Sequence, residues 1–175
     1  MRVLSLSEKN DDILMWSHYA TEIEKGKGHN GVVFKLKLLP NAYNKEGTAL
    51  CSIKPIRYEE TPPTFYSVKD LIEDIFAVRK IDHEPLYLDY IYTKSTVWKY
   101  EQEWRVCDLL PEKEQELYKF YPITPEEISA IYFGINTNHD DQMDIIALAQ
   151  KFNSEIKFYK AEKAVGGYKL NFSEM

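Results

Sequence analysis

Stretches of alternating polarity and stretches of helical periodicity follow one another along the first half of the chain. Residues 2–7 alternate between two sets of side chains, which is typical of a strand, whereas apolar residues three or four positions apart are typical of a helix. The elements predicted here are a strand over residues 2–7, a helix from a cap at Asn10, Asp11 or Asp12 to about Glu24, a strand over residues 31–39, and a strand over residues 50–58 interrupted near Pro55.

The second half continues the mixture without a regular order. The elements predicted here are a helix opening at Ser67 with Val68, Leu71, Ile72, Ile75, Phe76 and Arg79 at helical spacing, a segment over residues 84–93 that slightly favours helix, a strand over residues 101–109, a brief helix from the capping box at Thr124, a strand over residues 128–135, a helix from Asp140 or Asp141 to Phe152, and strands over residues 156–161 and 168–172. Because about seven strands and about four helices do not alternate, we predict an α+β fold with a twisted, mostly antiparallel mixed sheet.

Composition narrows the class of protein. The chain has 175 residues, which predicts a single domain over residues 1–175. No apolar run approaches the length of a membrane helix, and the start lacks the pattern of a signal peptide, so we expect no membrane association and a cytoplasmic location. A net charge of -6 argues against a broad nucleic-acid footprint. Cys51 and Cys107 are isolated from each other, and we predict neither a disulfide framework nor a metal site.

One cluster of candidate residues lies on the first helix. Trp16, His18 and Tyr19 fall within one turn and therefore spread over more than one face, so packing in the core does not explain all three. The structural alternative is that Trp16 and Tyr19 pack and that His18 caps a backbone carbonyl.

A second cluster lies in the stretch from Lys94 to Val106. If the chain is extended from Glu101 onward, Glu101, Glu103 and Arg105 share one face of the strand. Two carboxylates and a guanidinium are costly to bury unless they are paired. The functional interpretation places Glu103 near Arg105 in a half-closed cleft, and the structural alternative is a solvated sheet face with an ion pair.

These stretches together resemble a bacterial and phage family of unknown function, DUF2971. The matching residues are Leu6-Ser7, Met15 to Ala20, Gly31 to Phe34, Trp98 to Arg105 and Phe133-Gly134, so that the resemblance runs from residue 1 to about residue 161. The Trp-x-Tyr-Glu-x-Glu-Trp-Arg stretch is its most specific part and adds Trp98 and Tyr100 to the candidate binding residues. Relative to the family pattern, the chain is N-terminally shortened.

The Glu-x-Glu strand is also similar to the catalytic strand of ADP-ribosyltransferases. That resemblance implies a split-sheet fold with NAD in its cleft and no metal. It further implies that Glu103 holds the nicotinamide ribose, Glu101 positions the acceptor, Tyr19 or Trp16 stacks on the nicotinamide, and Arg2 grips the pyrophosphate.

Three functions follow as hypotheses. The first is an NAD-dependent ADP-ribosyltransferase-like effector of phage defence or of a toxin–antitoxin pair. The second is a non-catalytic module that binds a protein or nucleic-acid partner through its aromatic residues. The third is a hydrolase in which His18 is the base and Glu103 orients it. Whether the candidate side chains share one cleft decides among them.

Overall fold

Two compact units make up the chain. The computed structural model describes residues 2–21, 28–39, 50, 53–64, 66–76, 78, 82, 84–108 and 120–175. Unit 1 is formed by Met1–Glu8 with Ile53–Glu114, and unit 2 by Lys9–Ser52 with Gln115–Met175. Both units contain helices and strands, so the predicted α+β class is confirmed. The single domain over residues 1–175 stays a prediction.

The elements follow the irregular order expected from the sequence. In chain order they are β1 (Arg2–Ser7), α1 (Ile13–Tyr19), β2 (Val32–Leu36), β3 (Lys54–Pro55), β4 (Arg57–Glu59), α2 (Val68–Ile75), α3 (Glu84–Ile91), β5 (Thr93–Ser95), a 3-10 helix over Thr96–Glu101, β6 (Glu103–Asp108), a 3-10 turn over Pro125–Glu127, β7 (Ile128–Phe133), α4 (His139–Phe152), β8 (Lys157–Lys163) and β9 (Leu170–Glu174). None of the helices in the described ranges is long and apolar enough to cross a membrane.

Unit 1 is built around β6. This strand lies between β1 and β3 and is antiparallel to both, while β4 and β5 form a separate parallel pair. The register places Arg105 of β6 opposite Ser5 of β1 and Lys54 of β3. The described apolar core of this unit is small, because its buried members are Ile56, Ile91 and Tyr92.

Unit 2 is a four-stranded mixed sheet in the order β2-β7-β8-β9. β7 lies inside this sheet and its last four residues, 130–133, are all buried, which explains why its sequence reads as a continuous apolar run. The alternation of a strand divides them between two clusters. Ala130 and Tyr132 pack with Trp16 of α1, whereas Ile131 and Phe133 pack with apolar residues of α4.

Several predicted boundaries are wrong, for local reasons. α1 ends at Tyr19 because Ala20 leaves the helical conformation, and the Ala20 carbonyl accepts a hydrogen bond from Asn30 N at 2.7 Å. The predicted end, Glu24, lies outside the described residues. Asn138, and not Asp140 or Asp141, caps α4.

The predicted strand over residues 101–109 also starts too early. Its first two residues are not extended, because Glu101 ends the 3-10 helix and Gln102 adopts a left-handed φ of 44°. The strand itself is β6, Glu103–Asp108. Cys51, Arg79 and Leu109 lie outside the described residues.

Candidate functional site

Two buried carboxylates meet around one ammonium group in unit 1. Glu101 and Glu103 are only 3% and 6% exposed. Lys94 Nζ donates to Glu101 Oε2 and, at 2.9 Å, to Glu103 Oε2. The carboxylates are therefore not on a solvated sheet face, and the structural alternative considered from the sequence does not describe them.

Arg105 supplies the second cation of this cluster. Its Nε donates to Glu103 Oε1 at 2.7 Å and its Nη2 to Glu103 Oε2 at 3.1 Å, which is the forked pairing that guanidinium and carboxylate groups favour. Its Nη1 donates to the Ile91 carbonyl. Glu103 thus lies near Arg105, as the functional interpretation requires. We call Lys94, Glu101, Glu103 and Arg105 the ionic cluster; its formal charges sum to zero.

Hydrogen bonds outweigh burial in setting the pKa values of two members of this cluster, Glu103 and Lys94. Burial alone raises the pKa of Glu103, but hydrogen bonds from Arg105, Ser5 and Lys94 outweigh it and hold the pKa below its ordinary value. For Lys94, burial lowers the pKa, but hydrogen bonds to Glu101 and Glu103 outweigh it and raise the pKa. Both groups are therefore charged at neutral pH.

The backbone around Gln102 brings the two carboxylates together. Because Glu101 ends a 3-10 helix and Gln102 is left-handed, the alternation of a strand does not relate Glu101 to Glu103. Flanking bonds fix this turn on both sides, since Ser7 Oγ donates to Glu101 O at 2.7 Å and Glu103 N donates to the Tyr58 hydroxyl at 2.8 Å. The convergence predicted from the sequence is present, but it is produced by a turn.

A cleft of about 390 Å³ lies beside the ionic cluster within unit 1. Lys94 and Arg105 line it, whereas Glu101 and Glu103 do not. The remaining lining residues are Val3, Glu59, Glu60, Thr61, Pro62, Pro63, Tyr90, Ile91, Thr93 and Ser95. The cleft therefore combines an apolar wall with two cations and two further acidic residues.

Three other predicted binding residues also belong to unit 1. The Trp98 ring lies 5.1 Å from Lys94 Nζ in a cation–π contact and 6.1 Å from the Tyr100 ring. Trp98 is thus tied to the ionic cluster. Arg2 of β1 pairs in register with Asp108 and is not among the described residues that line the cleft. The structure brings Trp98 and Tyr100, but not Arg2, next to the candidate site.

The remaining candidates are in unit 2, on α1. Trp16 is a core residue, 2% exposed, whose Nε1 donates to Asn10 O at 2.6 Å. His18 and Tyr19 are exposed, with ring centroids 6.4 Å apart. The expectation that packing does not explain all three residues is confirmed. A shared site of His18 and Tyr19 with Glu103 stays a prediction.

His29 is a polar feature of unit 2 that the sequence did not single out. Its ring is parallel to the Trp16 indole, its Nε2 is 3.1 Å from Ser17 Oγ, and its φ is 59°. Burial and the charge of Lys163 lower the pKa of His29. The neutral ring therefore joins the residue 28–31 segment to α1.

Lys94 is the site residue that sequence reasoning missed, although a charge balance could have found it. Two buried carboxylates paired with one guanidinium leave one negative charge without a partner, which is costly in a buried position. A second cation close in sequence is then required, and Lys94 precedes Glu101 by seven residues. No group of three His, Cys, Asp or Glu side chains suited to a metal ion occurs among the residues the structure describes.

Comparison with known proteins identifies one family. The model of a family described as a protein of unknown function, DUF2971, matches residues 15–106, which is more than half of the 175 residues. The match begins in α1 and ends in β6. It is shorter than the range from residue 1 to about residue 161 that was expected from the sequence. It contains the whole Trp-x-Tyr-Glu-x-Glu-Trp-Arg stretch. No curated protein and no solved structure matches the chain.

Proposed function

This chain belongs to the DUF2971 family of proteins of unknown function, and we propose from its own residues that unit 1 binds NAD in the cleft beside the ionic cluster, as an ADP-ribosyltransferase-like protein. One observation carries the proposal. Lys94 and Arg105 line the cleft, and ion pairs with the buried carboxylates Glu101 and Glu103 hold them in position. Such fixed cations are preorganised hydrogen-bond donors for phosphate oxygens.

The donor capacity of the two cations fits a phosphate group. An ammonium has three N–H donors and a guanidinium has five. Among the described residues, Lys94 uses two acceptors and Arg105 uses three, counting both oxygens of Glu103. Two N–H groups of Arg105 therefore remain for a ligand in the cleft, while the Lys94 ammonium also contacts the Trp98 ring. The apolar wall, which includes Val3, Pro62 and Pro63, suits the flat face of a heterocyclic ring.

Charge favours NAD over a more highly charged nucleotide. The ionic cluster is neutral as a whole, and Glu59 and Glu60 add negative charge to the cleft lining. A nucleoside triphosphate with several negative charges is repelled by these residues. NAD carries only one net negative charge, because its cationic nicotinamide offsets part of the pyrophosphate. When bound, NAD supplies an electrophilic ribose carbon from which nicotinamide can leave.

In this proposal the acidic and basic residues have different roles. Lys94 and Arg105 would hold the pyrophosphate. Glu101 and Glu103 act as positioning residues for those cations, since the oxygens of Glu103 already accept bonds from Arg105, Lys94 and Ser5. A direct catalytic role for either carboxylate, and for His18, stays a prediction.

Calorimetric titration with NAD tests the proposal. We expect the wild-type chain to bind NAD at or below millimolar concentration, and Val3→Phe, which narrows the cleft, to weaken binding by about tenfold, equivalent to about 1.4 kcal/mol. Leu4→Phe is the matched control, because the adjacent side chain of β1 points to the other face and is similarly exposed. Absence of binding heat at millimolar NAD in folded protein would overturn the proposal, as would equal weakening by both variants.

A second candidate function is non-catalytic binding of a protein partner. Exposed aromatic rings favour it, since large rings are enriched at protein interfaces and Tyr19, Phe120 and Tyr168 are exposed. The net charge of -6 favours a protein over a nucleic acid. This function predicts a complex that survives Val3→Phe, which a binding assay with a purified partner would measure.

A further inference from the structure

An aromatic side chain lines the cleft beside the ionic cluster. Tyr90 belongs to the last turn of α3, is 53% exposed, and is the aromatic residue among the described residues that line the cleft. The carbonyl of the next residue, Ile91, accepts a hydrogen bond from Arg105 Nη1. The Tyr90 ring and the Arg105 guanidinium therefore border the same cleft and are linked through adjacent residues of one helix.

Two acidic side chains of the cleft are not neutralised by the protein. Glu59, at the end of β4, and the following residue, Glu60, are both exposed and line the cleft. In the part of the chain that the structure describes, neither carboxylate takes part in a hydrogen bond or an ion pair. The ionic cluster is neutral as a whole, so the cluster and these two glutamates together have a net charge of -2.

These features favour a ligand with a cationic aromatic ring. The face of an aromatic side chain attracts a cation within about 6 Å of its centre, and nearby carboxylates stabilise a positive charge. NAD has such a ring, because its oxidised nicotinamide is a pyridinium ion. The adenine of NAD and the reduced nicotinamide of NADH are neutral and gain only the apolar contact.

The rings that the sequence suggested for nicotinamide belong to unit 2. Trp16 is a core residue, and Tyr19 is exposed on α1. Neither is among the described residues that line the cleft, whereas Tyr90 is. The cleft thus has its own aromatic ring, on the helix whose last turn also binds Arg105.

We propose that Tyr90 binds the nicotinamide ring of NAD, and that Glu59 and Glu60 make the cleft select the oxidised, positively charged form over NADH. This inference rests on the proposed function, because it requires NAD to enter the cleft, and it names the ring site and the charge state of the ligand. The pyrophosphate remains with Lys94 and Arg105. Tyr90 is then a binding residue, and the two glutamates determine specificity.

Calorimetric titration with NAD and with NADH tests the charge selection. We expect the wild-type chain to bind NAD about fivefold more tightly than NADH, and Glu59→Gln/Glu60→Gln to reduce this ratio below about twofold. Glu126→Gln/Glu155→Gln is the matched control, because it removes the same charge from two exposed side chains that do not line the cleft. The control should keep the wild-type ratio.

The ring contact has a matched control on the same helix. Tyr87 and Tyr90 both belong to α3 and are both 53% exposed, but of the two only Tyr90 lines the cleft. We expect Tyr90→Leu to weaken NAD binding by about threefold, mainly through loss of the cation–π contact, and Tyr87→Leu to leave it unchanged. Tyr90→Phe should bind NAD as the wild type does, since the ring is retained.

The other outcomes separate this inference from the proposed function. Equal affinity of the wild type for NAD and NADH would refute the charge selection and leave NAD binding in place. An unchanged ratio in Glu59→Gln/Glu60→Gln would refute the role of the glutamates, and equal effects of Tyr90→Leu and Tyr87→Leu would refute the ring contact. Absence of binding heat with both nucleotides would refute the proposed function and this inference together.

Discussion

We predict that replacing one carboxylate oxygen of Glu103 by nitrogen lowers the free energy of unfolding strongly. Glu103→Gln keeps the shape of the side chain but removes the charge and replaces one acceptor oxygen by an amide donor. Oε1 of Glu103 accepts a hydrogen bond from Arg105 Nε, and Oε2 accepts from Arg105 Nη2 and Lys94 Nζ. Whichever oxygen the amide replaces, at least one of the two cations therefore loses an acceptor. Breaking a buried pair in this way costs about 3–5 kcal/mol. The side chains of Lys94 and Arg105 are 22% and 18% exposed, so partial solvation places the expected loss near 3 kcal/mol.

An exposed ion pair of the same unit is the matched control. Arg57 and Asp89 are paired with about half of each side chain exposed. Asp89→Asn makes the same chemical change in solvent, where a pair is worth about 0–1 kcal/mol. Urea unfolding followed by circular dichroism measures both variants against the wild type at one ionic strength. Added salt should reduce the effect of Asp89→Asn and leave most of the effect of Glu103→Gln, because buried charges are screened less.

Equal effects of the two substitutions would refute this reasoning. If Glu103→Gln lowered the free energy of unfolding no more than Asp89→Asn does, the Glu103 carboxylate would not be compensating the cost of burying Lys94 and Arg105. The positioning role assigned to Glu103 would then have no energetic basis, even if NAD binding were observed.

Two further predictions concern pH and close packing. Because the folded pKa of Glu103 lies below its unfolded value, its contribution to the free energy of unfolding is present above about pH 4 and is lost as pH falls through the folded pKa. The stability gap between the wild type and Glu103→Gln should therefore be steady at neutral pH and should narrow below about pH 4 in urea unfolding curves. In unit 2, a Cβ on Gly134 would lie 2.2 Å from His29 O, so Gly134→Ala should lower the free energy of unfolding by about 1–3 kcal/mol or more. Gly167→Ala, whose nearest neighbouring atom is 3.9 Å away, should change it by less than about 0.5 kcal/mol in the same thermal or urea unfolding assay.

The sequence predicted the fold best where one physical effect dominates locally. The strand β7 and the helix α4 have long, consistent apolar patterns, and both are present. Ser67 was predicted as a capping residue, and Asp12 was one of three candidates for the cap of α1, because a cap is a local hydrogen bond. Which strands pair was not accessible, since register is set by contacts between distant segments.

The sequence predicted which residues form the candidate site better than it predicted their geometry. The pattern Glu-x-Glu-x-Arg identified Glu101, Glu103 and Arg105 from the cost of burying unpaired charge. It did not predict the left-handed Gln102, because that conformation depends on backbone bonds such as Glu8 N to Gln102 O at 3.1 Å. The orientation of α2 was also outside its reach, since periodicity defines an apolar side without saying what covers it.

Unit 1 has a buried ionic cluster, and the apolar core formed by its described residues is small. A ligand that binds only the folded state adds RT ln(1 + [L]/Kd) to the free energy of unfolding. NAD bound at the cleft of unit 1 should therefore raise the unfolding temperature of the chain.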